Sequence, residues 1–344
     1  LLTDPATTLD DAHAAMARLN GRELAELPRV FAVLRGSDDP AEIQAAARLL
    51  RRWAALPLAD ALPRALRALV AEARVGDMNK LAAAALLESL GHPLDELELA
   101  RALADPDALK RTALERLVDA SARPPALVHA LETLAALPIE RLLALIDDLG
   151  ALGRPDGSRI LASLAHARDA DVAISAIAAL DRLGEPDTVG ALPAIARHHA
   201  DPTVRDQAAR TQARLPHRVA ANGIADKEQG CLAWRQTAPG PTDTDRLLLV
   251  ATAPDARGAR DVLTMLLRRG SGIAHYAMAG DLDPEAVAAL RGRLAEGGLE
   301  LAAAPVAEAR RVLEDATAET LTRGRVEDVA WAAWRWVLPP PPGP

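Results

Sequence analysis

The fold the sequence predicts is mainly α. It is a right-handed α-solenoid of antiparallel helix pairs over 1–216, a small α+β domain over 217–338 and a proline-rich tail over 339–344. Three observations predict it. Pro93, Pro124, Pro155 and Pro186 recur at a spacing of 31 residues inside otherwise helical sequence, the signature of stacked repeats. The apolar side chains are nearly all Ala, Leu and Val, with seven aromatic residues in the whole chain, which suits closely packed helices. After Pro216 the beat stops, and short apolar runs bounded by Gly, Pro and Thr take over.

Each repeat has a readable internal grammar. Three of the four prolines stand in one phrase, Leu90-Gly91-His92-Pro93, Leu152-Gly153-Arg154-Pro155 and Leu183-Gly184-Glu185-Pro186, and Ser121-Ala122-Arg123-Pro124 is a degenerate copy. Gly supplies the left-handed residue that ends one helix, and Pro opens the next, where its missing N–H costs nothing. Between units stand Asp39-Pro40, Asp105-Pro106 and Asp201-Pro202, with Asp77 and Asp169 in comparable places, all read as helix N-caps. Six to seven helix pairs follow, at about 9–36, 40–74, 78–104, 106–136, 138–167 and 170–199, then 202–215.

The stretch Asp201-Pro202-Thr203-Val204-Arg205, preceded by Leu183-Gly184-Glu185-Pro186-Asp187, resembles the HEAT-like repeats, including those of the phycobilisome-lyase type. The resemblance covers about residues 38–216. It implies in the main a scaffold or adaptor, with a few lyases and DNA-repair enzymes among proteins of this kind, and its motif is structural, with no catalytic residue to carry over.

Beyond Pro216, Leu247 to Ala251 reads as a buried strand, with weaker strands at 231–236 and 272–278. Residues 261–269 fit either a strand of an antiparallel meander or a helix ended by Gly270, which would make a β-α-β unit. Helices are expected at 284–295, 306–322 and 326–337.

Composition narrows the function class. A net charge of −8 disfavours a polyanion partner, and the excess of Arg over Lys reads as codon bias. One cysteine, Cys231, excludes an intramolecular disulfide and fits a reducing compartment. No charge-free window is long enough to span a membrane, and the opening Leu-Leu-Thr-Asp-Pro carries no signal-peptide pattern. A cytoplasmic location and a trimmed or incomplete start are expected.

Candidate chemistry is sparse. His198-His199 with Asp201, and His166 one repeat earlier, invite a metal reading, but equivalent positions on packed helices lie roughly 8–10 Å apart. Cys231 and His275 would make a nucleophile–base pair only on adjacent strands. If 261–269 is a helix, the loop Ala253 to Gly258 sits where an α/β fold binds phosphate, yet it lacks either Gly-rich fingerprint. No catalytic residue, cofactor or metal is assigned. For a protein partner, the candidates are Arg64, Arg67, Arg101, Arg159, Arg197 and His198 on second helices, and Trp331 with Trp334, spaced to share a helical face. The arginines fall at different offsets from the repeat prolines, so they form no phosphate ladder. A non-enzymatic interaction scaffold is favoured over a nucleic-acid-handling HEAT-like protein and over an enzyme or small-ligand binder with its site in the C-terminal domain.

Overall fold

The computed structural model describes residues 23–53, 61–184, 190–215, 230–237, 245–323 and 329–338. Among them lie fifteen α-helices and one five-stranded antiparallel sheet. The chain forms two compact units, Leu1–Ala113 and Leu114–Pro344.

The first unit contains α1 (Glu23–Gly36), α2 (Pro40–Trp53), α3 (Ala61–Ala71), α4 (Asp77–Ser89) and α5 (Glu96–Ala102). Its core is aliphatic, with Leu34, Leu50, Leu66 and Leu87 fully buried. Two buried polar side chains tie successive helices together. Asn79 donates to the Leu34 and Ser37 carbonyls at 2.8 and 2.9 Å, and Lys80 to the Ala102 carbonyl at 2.6 Å. Each satisfies helix-end carbonyls that would otherwise be orphaned.

The second unit takes up the end of α6 (Pro106–Ala120) and continues with α7 (Pro124–Ala135), α8 (Ile139–Leu152), α9 (Ser158–Leu164), α10 (Ala170–Leu183), α11 (Leu192–His198) and α12 (Pro202–Arg214). The first helices of the pairs stack, α8 on α10 and α10 on α12, while α7 packs on α9. The punctuation works largely as expected. Gly91, Gly153 and Gly184 all have φ between 66° and 78°, and Asp39, Asp105, Asp169 and Asp201 each accept first-turn N–H groups.

Two markers act differently. Pro93 does not open a helix: His92 N–H reaches the Leu87 carbonyl at 2.8 Å in a Schellman closure, and α5 starts only at Glu96, capped by Asp95. Asp77 is not a cap but the first residue of α4, whose carboxylate accepts the Ala104 and Asp105 N–H groups at 2.9 and 3.1 Å. Burial works to raise the Asp77 pKa, but those two bonds and Lys80 outweigh it and hold it below the ordinary range. Pro155 opens a 3-10 turn (Pro155–Gly157) that leads into α9, and Pro186 lies outside the described residues.

The sheet comprises β1 (Leu232–Gln236), β2 (Asp245–Ala251), β3 (Arg260–Arg268), β4 (Gly272–Leu282) and β5 (Leu301–Ala304), in the order β4-β3-β2-β1-β5. Residues 261–269 are therefore strand, and β1 to β4 form an antiparallel meander. Period-two alternation splits its side chains between two faces. Trp234, Leu249 and Val262 meet Val287 of α13 (Pro284–Glu296), whereas Leu248, Val250, Leu263 and Met265 join the core that runs through α7 to α12. Helix α14 (Val306–Arg323) packs on β4 and β1.

The end of the chain departs from expectation. Of 326–337, the part from Val329 is described. It is a 3-10 turn, Ala330–Ala333, followed by the one-turn helix α15 (Trp334–Val337), and it is buried on almost every side rather than amphipathic.

Candidate functional site

The second helices of the second unit are covered by the chain's own C-terminal part. Helix α7 meets β4, the Ala330–Ala333 turn and α15; α9 meets the same turn; α11 meets α14. Trp331, 2% exposed, stands edge-on to His166 with ring centroids 5.3 Å apart. Trp334, 1% exposed, donates its indole N–H to Thr317 Oγ1 at 3.1 Å. Both rings are core and present no surface to another chain.

Polar contacts fix the register of this docking. Arg123, just before α7, forks to Asp261 at 2.6 Å and Asp281 at 2.9 Å, and Asp281 also pairs with Arg257. The Arg123 guanidinium holds the Asp281 carboxyl below the usual carboxylate range against the opposing pull of burial. Asp281 sits at φ 56°, and its N–H donates to Asp261 Oδ1 at 3.2 Å. Tyr276 Oη donates to Glu132, Thr322 Oγ1 to the His198 carbonyl, and Arg335 to the Gly190 carbonyl.

Between α9, the Gly190–Ala191 turn, α14 and α15 lies a cavity of about 170 Å³. Its polar lining is Arg310, Glu314 and Arg335, and its walls include Trp334 and Trp336. Arg310 is 7% exposed, and Glu314 follows it by one helical turn on α14. The Arg335 guanidinium lies over the Trp334 ring at 4.6 Å, and Arg159 lies over Trp336 at 5.5 Å. Burial pushes the Arg335 pKa down to about 10, with Glu314 pulling the other way, so the group remains a cation at neutral pH.

The remaining candidates separate cleanly. Arg159 is half-buried in the contact just described and donates to the Ala122 carbonyl. Arg197 is exposed, with its Nε donating back to the Pro193 carbonyl, and the His198 main chain is held by Thr322. Arg64, Arg67 and Arg101 are exposed on α3 and α5 of the first unit.

The histidine cluster makes no metal site. His166 Nδ1 donates to the Ala162 carbonyl at 2.8 Å; His199 uses Nε2 on the Ala167 carbonyl and Nδ1 on the Asp201 N–H. Among the described residues no group of three His, Cys, Asp or Glu is placed to hold an ion. Cys231 and His275 are separated by the full width of β2 and β3, which removes the nucleophile–base pairing. The 252–259 loop joins two strands, and Asp255 closes it by accepting the Arg257 and Ala259 N–H groups, so no helix N-terminus faces it. Arg310, Glu314 and Arg335 were not legible as a site, because their convergence depends on how α14 and α15 dock. No family model, curated protein or solved structure matches the chain.

Proposed function

We propose that the chain is a non-enzymatic interaction scaffold built on a HEAT-type α-solenoid, and that its partner surface is the second-helix face of the first unit. One observation carries this. The second helices α7 and α9 are occupied by the chain's own β4 and tryptophan-bearing turn and α11 by α14, whereas α3 and α5 turn Arg64, Arg67 and Arg101 outward, with Leu97 of α5 63% exposed. Exposed arginines, with Glu98 among them, beside an exposed apolar anchor suit a protein partner that offers carboxylates to the arginines, since Arg combines charge with a broad, weakly hydrated contact surface.

The test is cross-linking capture with the full chain against the triple variant Arg64→Glu, Arg67→Glu and Arg101→Glu. Partners cross-linked through α3 and α5 are expected with the parent and lost with the variant. An identical captured set in both would refute the assignment.

A further inference from the structure

We propose that the cavity between α9, the Gly190–Ala191 turn, α14 and α15 binds a small organic anion, with its carboxylate or phosphate head on Arg335 and Arg310 and its flat body against Trp336. The site is independent of the partner surface on the first unit.

Size is the first argument. About 170 Å³ is far more than the roughly 10–15 Å³ that one water needs, and less than the roughly 300 Å³ at which drug-sized pockets begin. A metabolite-sized molecule fits that range.

Charge is the second. Two guanidiniums and one carboxylate line the space, so the lining is net positive. Arg310 is almost wholly buried, while Glu314 is exposed and keeps part of its interaction with solvent. A desolvated cation needs neighbouring negative charge, and the partly solvated Glu314 carboxylate compensates Arg335 only in part.

Unused donors are the third. A guanidinium carries five N–H donors. Arg335 gives one bond to the Gly190 carbonyl at 3.1 Å and lays its plane on Trp334, but its Nε is out of solvent without a hydrogen-bond partner among the described residues. That Nε has no surface facing the cavity, so the remaining guanidinium N–H groups are the ones an oxyanion there would meet. The lowered Arg335 pKa reports the same under-compensated environment. The Trp336 ring, held from one side by Arg159, supplies the apolar wall that a bare inorganic ion would not need.

The experiment uses the full chain, with benzoate, phenyl phosphate and inorganic phosphate as probes in titrations followed by tryptophan fluorescence and calorimetry. At least one aromatic probe is expected to saturate with Kd below about 1 mM, with inorganic phosphate weaker than phenyl phosphate. Whichever aromatic probe binds tighter identifies the head group as carboxylate or phosphate. Arg335→Gln should weaken binding by about tenfold or more, and Glu314→Gln should tighten it severalfold, because it removes the competing carboxylate. The idea fails if neither aromatic probe saturates by about 10 mM, or if Arg335→Gln binds as the parent does. Should Arg335→Gln not fold, Glu314→Gln decides: unchanged or weaker affinity overturns the proposal.

Discussion

His166 shows how a single side chain couples this core to pH. It is completely desolvated among apolar groups, close to Arg335, and these push its pKa down to about 3. In the unfolded chain it titrates near 6.5. Above pH 6.5 both states leave it neutral, and stability is at its full value. Between about 6.5 and 3 the unfolded chain binds a proton that the native state refuses, so stability falls as pH falls, by at most about 1.4 kcal/mol per pH unit. Urea unfolding at pH 7 and pH 5 is expected to show a loss of roughly 2 kcal/mol from this group, and His166→Phe should remove that part of the loss. Equal pH dependence in parent and variant would mean that the ring is not desolvated. The sequence marks His166 only as a metal candidate by its place in the repeat; its environment comes from Trp331 and Arg335, far away in the chain.

At the scale of elements, the β3–β4 hairpin is clamped onto α14 through glycine. Glu319 accepts the Gly270 and Gly272 N–H groups, and Thr320 Oγ1 accepts the Ile273 N–H at 2.8 Å. Gly272 sits at φ 80°, and a Cβ there would lie 2.2 Å from Thr320 Oγ1 and 2.5 Å from the Ala316 carbonyl. Gly258, also at φ 80°, has open space around it. Gly258→Ala is therefore expected to cost about 1 kcal/mol from the left-handed backbone alone. Gly272→Ala should cost about 3 kcal/mol or more, because backbone and helix must also move apart. Comparable unfolding midpoints for the two variants would show that α14 does not press on the hairpin. Elements of this kind divide by how local their cause is. The helix ends at Gly91, Gly153 and Gly184, the Asp caps and the strand at Leu247 to Ala251 were legible, because each rests on a few adjacent residues. The choice between meander and β-α-β at 261–269 was not, because an apolar run of that length fits either period until its neighbours are known. The helix expected at 326–337 misled for the opposite reason: its part from Val329 is buried almost all round and has no polar face that would define a surface helix.

For the whole molecule, charge and docking decide what the chain can meet. With a net charge of −8 and arginines at irregular offsets, it is not expected to bind duplex DNA at physiological salt; sub-micromolar, salt-sensitive binding in fluorescence anisotropy would overturn that and revive the nucleic-acid reading. Docking is less legible than charge. The open end at α12 invites a C-terminal domain that caps the last repeat by covering Val204, Ala208 and Leu215. Those residues are buried; among the described elements α12 packs on α10 and α11, while β4 and the Ala330–Ala333 turn lie on α7 and α9, and α14 lies on α11. Sequence shows which face of a helix is apolar but not which neighbour will cover it, and the cavity at Arg335 shares that fate. The two arrangements give opposite results when the chain is cut after Leu215. Lateral docking predicts that hydrogen exchange rises first in α7, α9 and α11, whose contacts with β4, the Ala330–Ala333 turn and α14 are gone. Helix α12 keeps both of its packed neighbours and should lose less protection, while newly bared apolar surface should bind a hydrophobic dye. An end-cap would instead expose α12 and leave α7 and α9 as protected as in the full chain.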